Sequence, residues 1–329
     1  MDLRAIPREW AEIAIFTVAA FLLYQISVLF FLITVPLIVL GLKRGPEAVL
    51  YSGTILLFAI LVQVFIRTRG IEDEVLRRFF FMMEAAYPVT LILGAALLFW
   101  GRGRILYRLL TATAAVLLVS LPIVGIYSGN QEVMEFLQQQ FKLILESLQG
   151  GLGGNAAGAN GVEVLSALDA ESFYTLISEV FIRHYIFSFF LMLSACWAFS
   201  YGIYSRSKGS MPYNLVHFTV PENLLWPFIG AWFGVLLDVL VGVPLVGFLF
   251  WNYGMILLSV YAMQGIGILK SLFQQHGVSR LLQLLVVFSA VIILLTPRLN
   301  LVLIVGVPLL GLSEYWIHYR AGHSTTEGS

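Results

Sequence analysis

The side chains best suited to chemistry are three polar residues inside long apolar stretches. Glu84 lies in FFFMMEAAYP, Asp238 in GAWFGVLLD and Asn252 in FLFWNYG. A carboxylate inside a membrane segment is costly to bury, so it normally faces the protein interior and serves function. In the orientation derived below, all three residues fall in the outer third of a bilayer. The sequence therefore predicts a ligand-binding site made by Glu84, Asp238 and Asn252.

Asp238 also belongs to a regular spacing. Gly230, Gly234 and Asp238 stand four residues apart and share one helix face. Glycines on such a face let a neighbouring helix approach closely, which predicts that Asp238 points into the bundle and not into lipid. The alternative is a structural acid near the outer end of its helix, where burial is slight.

A second polar set lies towards the other end of the apolar stretches. It consists of Gln264 in YAMQGIGILK together with Glu314, His318 and Arg320 in GLSEYWIHYR. Glu314 and His318 are four residues apart and adjoin each other on a helix. We predict a docking surface for a cytoplasmic or membrane partner here, with solvated helix ends as the alternative.

Sequence signatures of enzymes are absent from the chain. There is no GxxxxGK[ST] loop, no GxSxG, no HExxH and no CxxC. Cys196 is the single cysteine, and the five histidines include no pair with ligand spacing. We therefore expect neither catalysis, nor a cofactor, nor a metal site.

Composition identifies the elements that must position these residues. The chain of 329 residues is 59% hydrophobic and 12% charged, with a mean hydropathy of +0.89. Lys+Arg and Asp+Glu are both 19, so no basic surplus indicates a nucleic-acid partner. Ten apolar segments follow one another at residues 13–30, 31–42, 47–66, 79–100, 105–127, 180–202, 223–241, 247–269, 281–296 and 299–317.

Backbone polar groups in lipid must be paired within the segment, so each apolar segment is predicted to be a helix. The predicted fold is an all-α, polytopic transmembrane helix bundle with about 8–10 membrane segments. We expect N-terminal membrane helices in 1–127, an extracytoplasmic insert in 128–178, C-terminal membrane helices in 179–320 and a disordered tail in 321–329. Together they make one integral membrane domain whose surroundings are the lipid bilayer.

Residues 13–42 decide the orientation. They hold too few residues for two full spans, and Pro36 disfavours one unbroken helix, so a two-pass hairpin or a re-entrant pair is expected. The count covers the Lys and Arg of the termini and short loops. If the chain returns to its starting side, twelve of these lie in the cytoplasm and five outside; a single pass gives seven and ten. The positive-inside rule favours the return, with both termini cytoplasmic.

The extracytoplasmic insert begins with an amphipathic pattern, and GGLGGNAAGANG follows as a flexible linker. The predicted helix is expected to lie in the membrane interface, to cover a cavity or to serve as a surface connector. Its apolar stripe comprises Val133, Leu137, Phe141, Ile144 and Leu148.

Four ordered motifs carry a family resemblance. VPLIVLGLKRGPEAVLYSG, HFTVPENLLWPFIG, WNYGMILLSVYAMQGIGILK and VPLLGLSEYWIHYR resemble the YybS-like family of bacterial inner-membrane proteins over nearly the whole chain. More distantly, the early Pro…Gly-Pro pattern is similar to the substrate-binding membrane subunits of energy-coupling-factor transporters and to the rod-shape protein MreD. The resemblance implies a bacterial cytoplasmic membrane and a small-molecule solute.

Two functions are consistent with these features. The first is a binding or transport subunit for a small molecule, open to the outside and lacking its own ATPase, so that a coupling protein would supply energy. The alternative is a non-transporting cell-envelope scaffold or assembly protein that docks membrane partners.

Overall fold

The computed structural model describes residues 8–26, 29–101, 103–128, 130–152, 170–209, 214–242 and 244–320. Regular structure in these residues is helical throughout, which confirms the predicted all-α class. Most of the glycine-rich linker and the predicted disordered tail 321–329 lie outside the described residues. The chain forms two compact units, Met1–Ser210 and Met211–Ser329.

Eleven α-helices are seen in the described residues. In chain order they are α1 Arg8–Gln25, α2 Thr34–Arg44, α3 Pro46–Thr68, α4 Glu74–Trp100, α5 Ile105–Ser128, α6 Gln131–Leu152, α7 Ala170–Ser207, α8 Leu225–Val241, α9 Pro244–Gln275, α10 Arg280–Leu295 and α11 Asn300–Ser313. Units 1 and 2 below denote Met1–Ser210 with α1 to α7 and Met211–Ser329 with α8 to α11.

Five apolar segments in the described residues are long enough to cross a bilayer. They are Pro46–Thr68, Glu74–Trp100, Arg183–Ser207, Glu222–Val241 and Val246–Gln275. Three shorter apolar helices accompany them, Ile105–Ser120, Arg280–Leu295 and Asn300–Ser313. The protein is therefore an integral, multi-pass membrane protein.

Unit 1 contains a short buried helix that returns the chain to its starting end. Helix α2 has 11 residues and spans ~16 Å, about half of a bilayer core. All of its residues from Thr34 to Gly41 are buried. At its end Arg44 donates to Glu12 (2.8 Å) and Glu9 (3.3 Å) in the first turns of α1. Residues 8–44 thus leave and re-enter one end of the unit.

The residues KRGP, 43–46, form the turn between α2 and α3. Gly45 has φ +90°, a left-handed conformation that favours glycine, and Pro46 then occupies the first turn of α3. Inside α2, a Cβ on Gly41 would lie 2.4 Å from the Phe99 ring of α4. Glycine at this position lets α4 pack directly on the buried helix.

The amphipathic helix α6 packs on the rest of unit 1. Phe136 meets Phe80 of α4 at 5.3 Å between ring centroids, and Phe141 meets Tyr174 of α7 at 5.5 Å. Tyr174 also donates to the Met134 sulfur (3.3 Å), and burial raises the pKa of this phenol.

The predicted apolar stripe of α6 is right at its start and wrong one turn before its end. Val133 is buried, but Leu145 is buried where Ile144 was predicted, and Ile144 is exposed. Steps of four residues lead from Val133 through Leu137 and Phe141 to Leu145. The spacing of four thus continues for one turn beyond Phe141, where the prediction changed to a spacing of three. The side chain of Leu148 lies outside the described residues.

Unit 2 is built around α9, which packs on α8 and α11. The contact between α9 and α11 brings the two backbones together. A Cβ on Gly265 would lie 2.1 Å from the carbonyl oxygen of Val307, and one on Gly311 would lie 2.1 Å from that of Tyr261. By contrast, α10 has no buried residue along its described length, as expected for a helix that faces lipid or a membrane partner.

Candidate functional site

Asp238 is a buried carboxylate in an apolar helix pair. It lies in the last turn of α8 and is 5% exposed. Its Oδ2 accepts a hydrogen bond from the indole Nε1 of Trp251 in α9 (3.0 Å). A Cβ on Gly247 would lie 2.6 Å from both carboxylate oxygens, so the carboxylate rests directly on the α9 backbone. Only glycine at 247 leaves room for it there.

The local sequence explains why Asp238 points towards α9. Gly242, in the left-handed conformation, ends α8, and its N–H donates to the Asp238 carbonyl (2.7 Å). One turn before Asp238, a Cβ on Gly234 would lie 2.2 Å from the Phe250 ring. The predicted close approach is therefore observed at Gly234. The prediction is wrong at Gly230, which is exposed and where an added Cβ would meet no heavy atom of a neighbouring element within 4 Å.

The other two residues of the predicted ligand set belong to different units. Asn252 is 4% exposed in α9, directly after Trp251, and its Nδ2 donates to the Phe248 carbonyl of its own helix (2.8 Å). Glu84 is exposed on α4 in unit 1. Asp238 and Asn252 thus belong to unit 2 and Glu84 to unit 1, and a shared ligand site stays a prediction.

Aromatic rings adjoin the carboxylate along α8 and α9. Trp251 and Trp232 lie 6.5 Å apart between centroids, and Trp232 and Phe228 lie 6.4 Å apart. The series continues from Phe228 to Tyr261 (4.9 Å) and Tyr315 (6.2 Å), mostly in edge-to-face geometry. The sequence analysis missed these residues, although the four-residue spacing of Phe228 and Trp232 places both on one helix face.

Trp232 contributes an unusual polar atom to this region. Its indole Nε1 is buried and has no hydrogen-bond partner in the described residues. Buried donors are almost always paired, and an unpaired one is destabilising. The indole lies over Gly254 of α9, where an added Cβ would be an ordinary 3.8 Å from Cε2. The space beside this indole therefore holds at least a methyl group.

The second polar set forms an internal network around Gln264. This side chain is 3% exposed in α9. Its Oε1 accepts from the Val220 N–H (2.6 Å), and its Nε2 donates to the Gly311 carbonyl (3.0 Å) and to Glu314 Oε2 (2.9 Å). One amide thus joins the segment before α8 to the end of α11.

Arg320 completes the network. It donates to Glu314 Oε2 (2.5 Å) and to the carbonyls of Val216 (2.5 Å) and Phe218 (3.0 Å). The Glu314 and Arg320 side chains are 14% and 15% exposed. Charge-assisted bonds of this kind are about twice as strong as neutral ones. They hold residues 214–221, named here the 214–221 segment, against α9 and α11.

Two further contacts fix the same segment. The Tyr315 hydroxyl donates to the carbonyls of Val220 (3.2 Å) and Pro221 (3.1 Å). A Cβ on Gly267 would lie 2.4 Å from the Leu215 carbonyl, so the segment runs directly over the α9 backbone. His318, the remaining residue of the predicted docking set, is exposed. The structure thus brings Gln264, Glu314 and Arg320 together and leaves His318 at the surface, while docking stays a prediction.

The described residues contain no group of three or more His, Cys, Asp or Glu side chains that could hold a metal ion. Comparison of the chain with protein-family models, curated proteins and solved structures finds no match.

Proposed function

We propose that the protein is the small-molecule binding or transport subunit of a bacterial cytoplasmic-membrane system, with its solute site at Asp238. The observation that carries this proposal is the buried Asp238 carboxylate at the α8–α9 contact. A carboxylate buried among apolar helices is expensive, and such residues generally mark sites of solute or ion binding. Asp238 lies one turn from the end of α8, so a solute reaches it by a short path.

The contacts of the carboxylate support a binding role. The indole Nε1 of Trp251 donates a hydrogen bond to its Oδ2 and so orients it. Gly247 presents its backbone and no side chain to both carboxylate oxygens. The carboxylate is therefore held in one orientation, which is the preorganisation that a polar or cationic solute requires.

The resemblance to YybS-like proteins and to energy-coupling-factor binding subunits supports the same proposal. The sequence lacks an ATP-binding loop, so we propose that a separate coupling protein supplies the energy of transport. Asn252 and Glu84 remain proposed ligand residues, Asn252 as a neighbour of Trp251 and Glu84 as an independent contributor.

Native mass spectrometry of the gently purified protein tests the proposal. We expect a bound small molecule in the wild type and a 10- to 150-fold loss of affinity in Asp238→Asn, equivalent to about 1.5–3 kcal/mol for a hydrogen bond to a charged group. Asparagine keeps the shape and still accepts from Trp251, so the fold is expected to survive. Glu222→Gln, which removes an exposed acid just before α8, is the matched control and should retain the ligand.

Retention of the same ligand by Asp238→Asn would place the site elsewhere. Glu84→Gln, measured in parallel, shows whether the acid of unit 1 contributes. Equal occupancy in the wild type and in Glu84→Gln would remove Glu84 from the site and leave Asp238 in place.

A non-transporting envelope scaffold is the second candidate. Helix α10 favours it, because its side chains are mostly apolar and none is buried in the unit. Such a surface suits a helix of a membrane partner. Glu314 and Arg320 hold the 214–221 segment, so substituting them would disturb the fold as well as any docking. His318→Ala tests docking without disturbing the fold. If the protein is a scaffold, we expect this variant to release a partner without loss of stability.

The proposed orientation has its own test. In a Cys196→Ser background, Ser207→Cys at the end of α7 should be protected from an impermeant maleimide in intact cells and should react after permeabilisation. Gln139→Cys on the exposed side of α6 should react in intact cells. The twelve-to-five distribution of Lys and Arg requires this result. Labelling of Ser207→Cys from outside would invert the topology.

A further inference from the structure

We infer that one end of unit 1 binds a phospholipid whose headgroup carries a net negative charge. The surface, named here the basic end, consists of Lys43 at the end of α2, Arg104 just before α5, and Arg206 and Lys208 at the end of α7. All four side chains are exposed. The inference is independent of the solute site proposed in unit 2.

Helix α7 ends on the same side of unit 1 as α2. The Cys196 thiol of α7 donates to the Phe31 carbonyl just before α2 (3.6 Å), and the Ser200 hydroxyl donates to the Val35 carbonyl (3.3 Å). Both contacts advance by four residues, about one helical turn, on each segment, so the two segments run in the same direction. From the second contact, eight further residues along each helix lead to a lysine of the basic end.

The turn between α4 and α5 lies at this same end. Helix α4 ends at Trp100, and a Cβ on Gly41, two residues before Lys43, would lie 2.4 Å from the neighbouring Phe99 ring. Arg104 follows four residues after the end of α4. The ends of α2, α4 and α7 therefore bring the four cations to one end of the unit.

The positive charge of the basic end is not compensated within the described part of the chain. None of its four cations forms an ion pair with a described carboxylate, whereas the neighbouring Arg44 is bound by Glu12 and Glu9. At the opposite end of unit 1, residues 67–78 hold four arginines and three acids, and Arg78 pairs with Glu74. Uncompensated Lys and Arg next to membrane helices attract anionic lipid headgroups.

The cations continue an apolar surface, which favours a lipid over a free anion. Phe199, Ile203 and Arg206 share one face of α7, and the first two are 58% and 42% exposed. At the same end Trp10 of α1 and Tyr51 of α3 are half-exposed, with ring centroids 5.5 Å apart. Tryptophan and tyrosine collect at the depth of the headgroups. A phospholipid here lays an acyl chain along the apolar face of α7 and its phosphate beside the cations.

Phosphatidylglycerol and phosphatidylcholine with identical acyl chains test the inference, because they differ in the net charge of the headgroup. The full-length protein in mild detergent is titrated with each lipid and measured by native mass spectrometry and thermal unfolding. We expect phosphatidylglycerol to bind at least tenfold more tightly and to raise Tm, with a preference that weakens as salt is added. Inorganic phosphate lacks the acyl chains and should leave Tm unchanged. Equal stabilisation by phosphate would show a free-anion site and overturn the lipid.

A double variant locates the site. Each cation beside a membrane contributes about 1 kcal/mol, or about fivefold, to the binding of an anionic lipid. Arg206→Gln with Lys208→Gln should therefore weaken phosphatidylglycerol binding by about 10- to 30-fold and leave both phosphatidylcholine binding and Tm without lipid unchanged.

Arg67→Gln with Arg69→Gln removes the same charge from exposed positions at the opposite end of unit 1 and is the matched control. It should bind phosphatidylglycerol as the wild type does. Equal affinity of the wild type for the two lipids would overturn the inference. Full phosphatidylglycerol affinity in the α7 double variant, or an equal loss in the control, would also overturn it.

Discussion

Gly311→Ala is expected to destabilise unit 2 by about 3 kcal/mol, the upper range for overpacking a closely packed site. The added Cβ would lie 2.1 Å from the Tyr261 carbonyl oxygen and 2.9 Å from the Gly265 nitrogen. Both obstacles are backbone atoms of α9 and cannot swing aside as a side chain does. The two helices must therefore separate, which also strains the Gln264 bond to the Gly311 carbonyl.

Thermal unfolding in mild detergent measures this effect, and the same helix supplies its control. A Cβ on Gly306 would meet no heavy atom within 4 Å. Gly306→Ala should therefore leave Tm unchanged or raise it slightly, since alanine favours the helix by about 1 kcal/mol. Equal Tm values for the two variants would show that α9 and α11 do not pack backbone to backbone.

Arg320→Ala is expected to free the 214–221 segment. The change leaves Glu314 as a largely buried carboxylate without its cation, and removing one partner of such a pair typically costs about 3–5 kcal/mol. It also removes the donors to the Val216 and Phe218 carbonyls. Hydrogen exchange should show faster exchange at the Val220 amide, which is bound by Gln264, and a lower Tm.

Arg280→Ala, which removes an exposed arginine from the first turn of α10, is the control and should leave exchange in the segment unchanged. Unaltered protection of the 214–221 segment in Arg320→Ala would mean that Gln264 and Tyr315 hold it without the ion pair. The Glu314–Arg320 contact would then be a surface pair of little energetic weight.

The sequence was sufficient for the fold class and for the direction of Asp238. Apolar segments of membrane length can only be helices in lipid, so an all-α bundle followed from their lengths alone. Residues four apart lie on the same face of a helix. The spacing of Gly234 and Asp238 therefore places both on one face of α8, and this is the face that meets α9. Gly230 shows the limit of this argument, since its place on the face could be read from spacing but its lack of a neighbour could not.

The inner network could not be derived from local patterns. Gln264, Glu314 and Arg320 were recognised as polar residues in apolar surroundings, but their partners Val216 and Val220 are backbone groups far away in the chain. Backbone donors and acceptors cannot be recognised from the type of the side chain. The Trp232 donor, which has no acceptor in the part of the chain that the structure describes, was equally hidden, because whether an indole finds an acceptor depends on tertiary packing and not on sequence neighbours.

The most direct test of the Asp238 site is an electron cryo-microscopy structure of the wild-type protein purified gently enough to keep its solute. We expect non-protein density within hydrogen-bond distance of the Asp238 carboxylate, beside the Trp251 indole. In Asp238→Asn this density should vanish while α8 and α9 keep their positions. Closely packed side chains around Asp238 with no such density, together with a bound solute elsewhere in the wild type, would contradict the account.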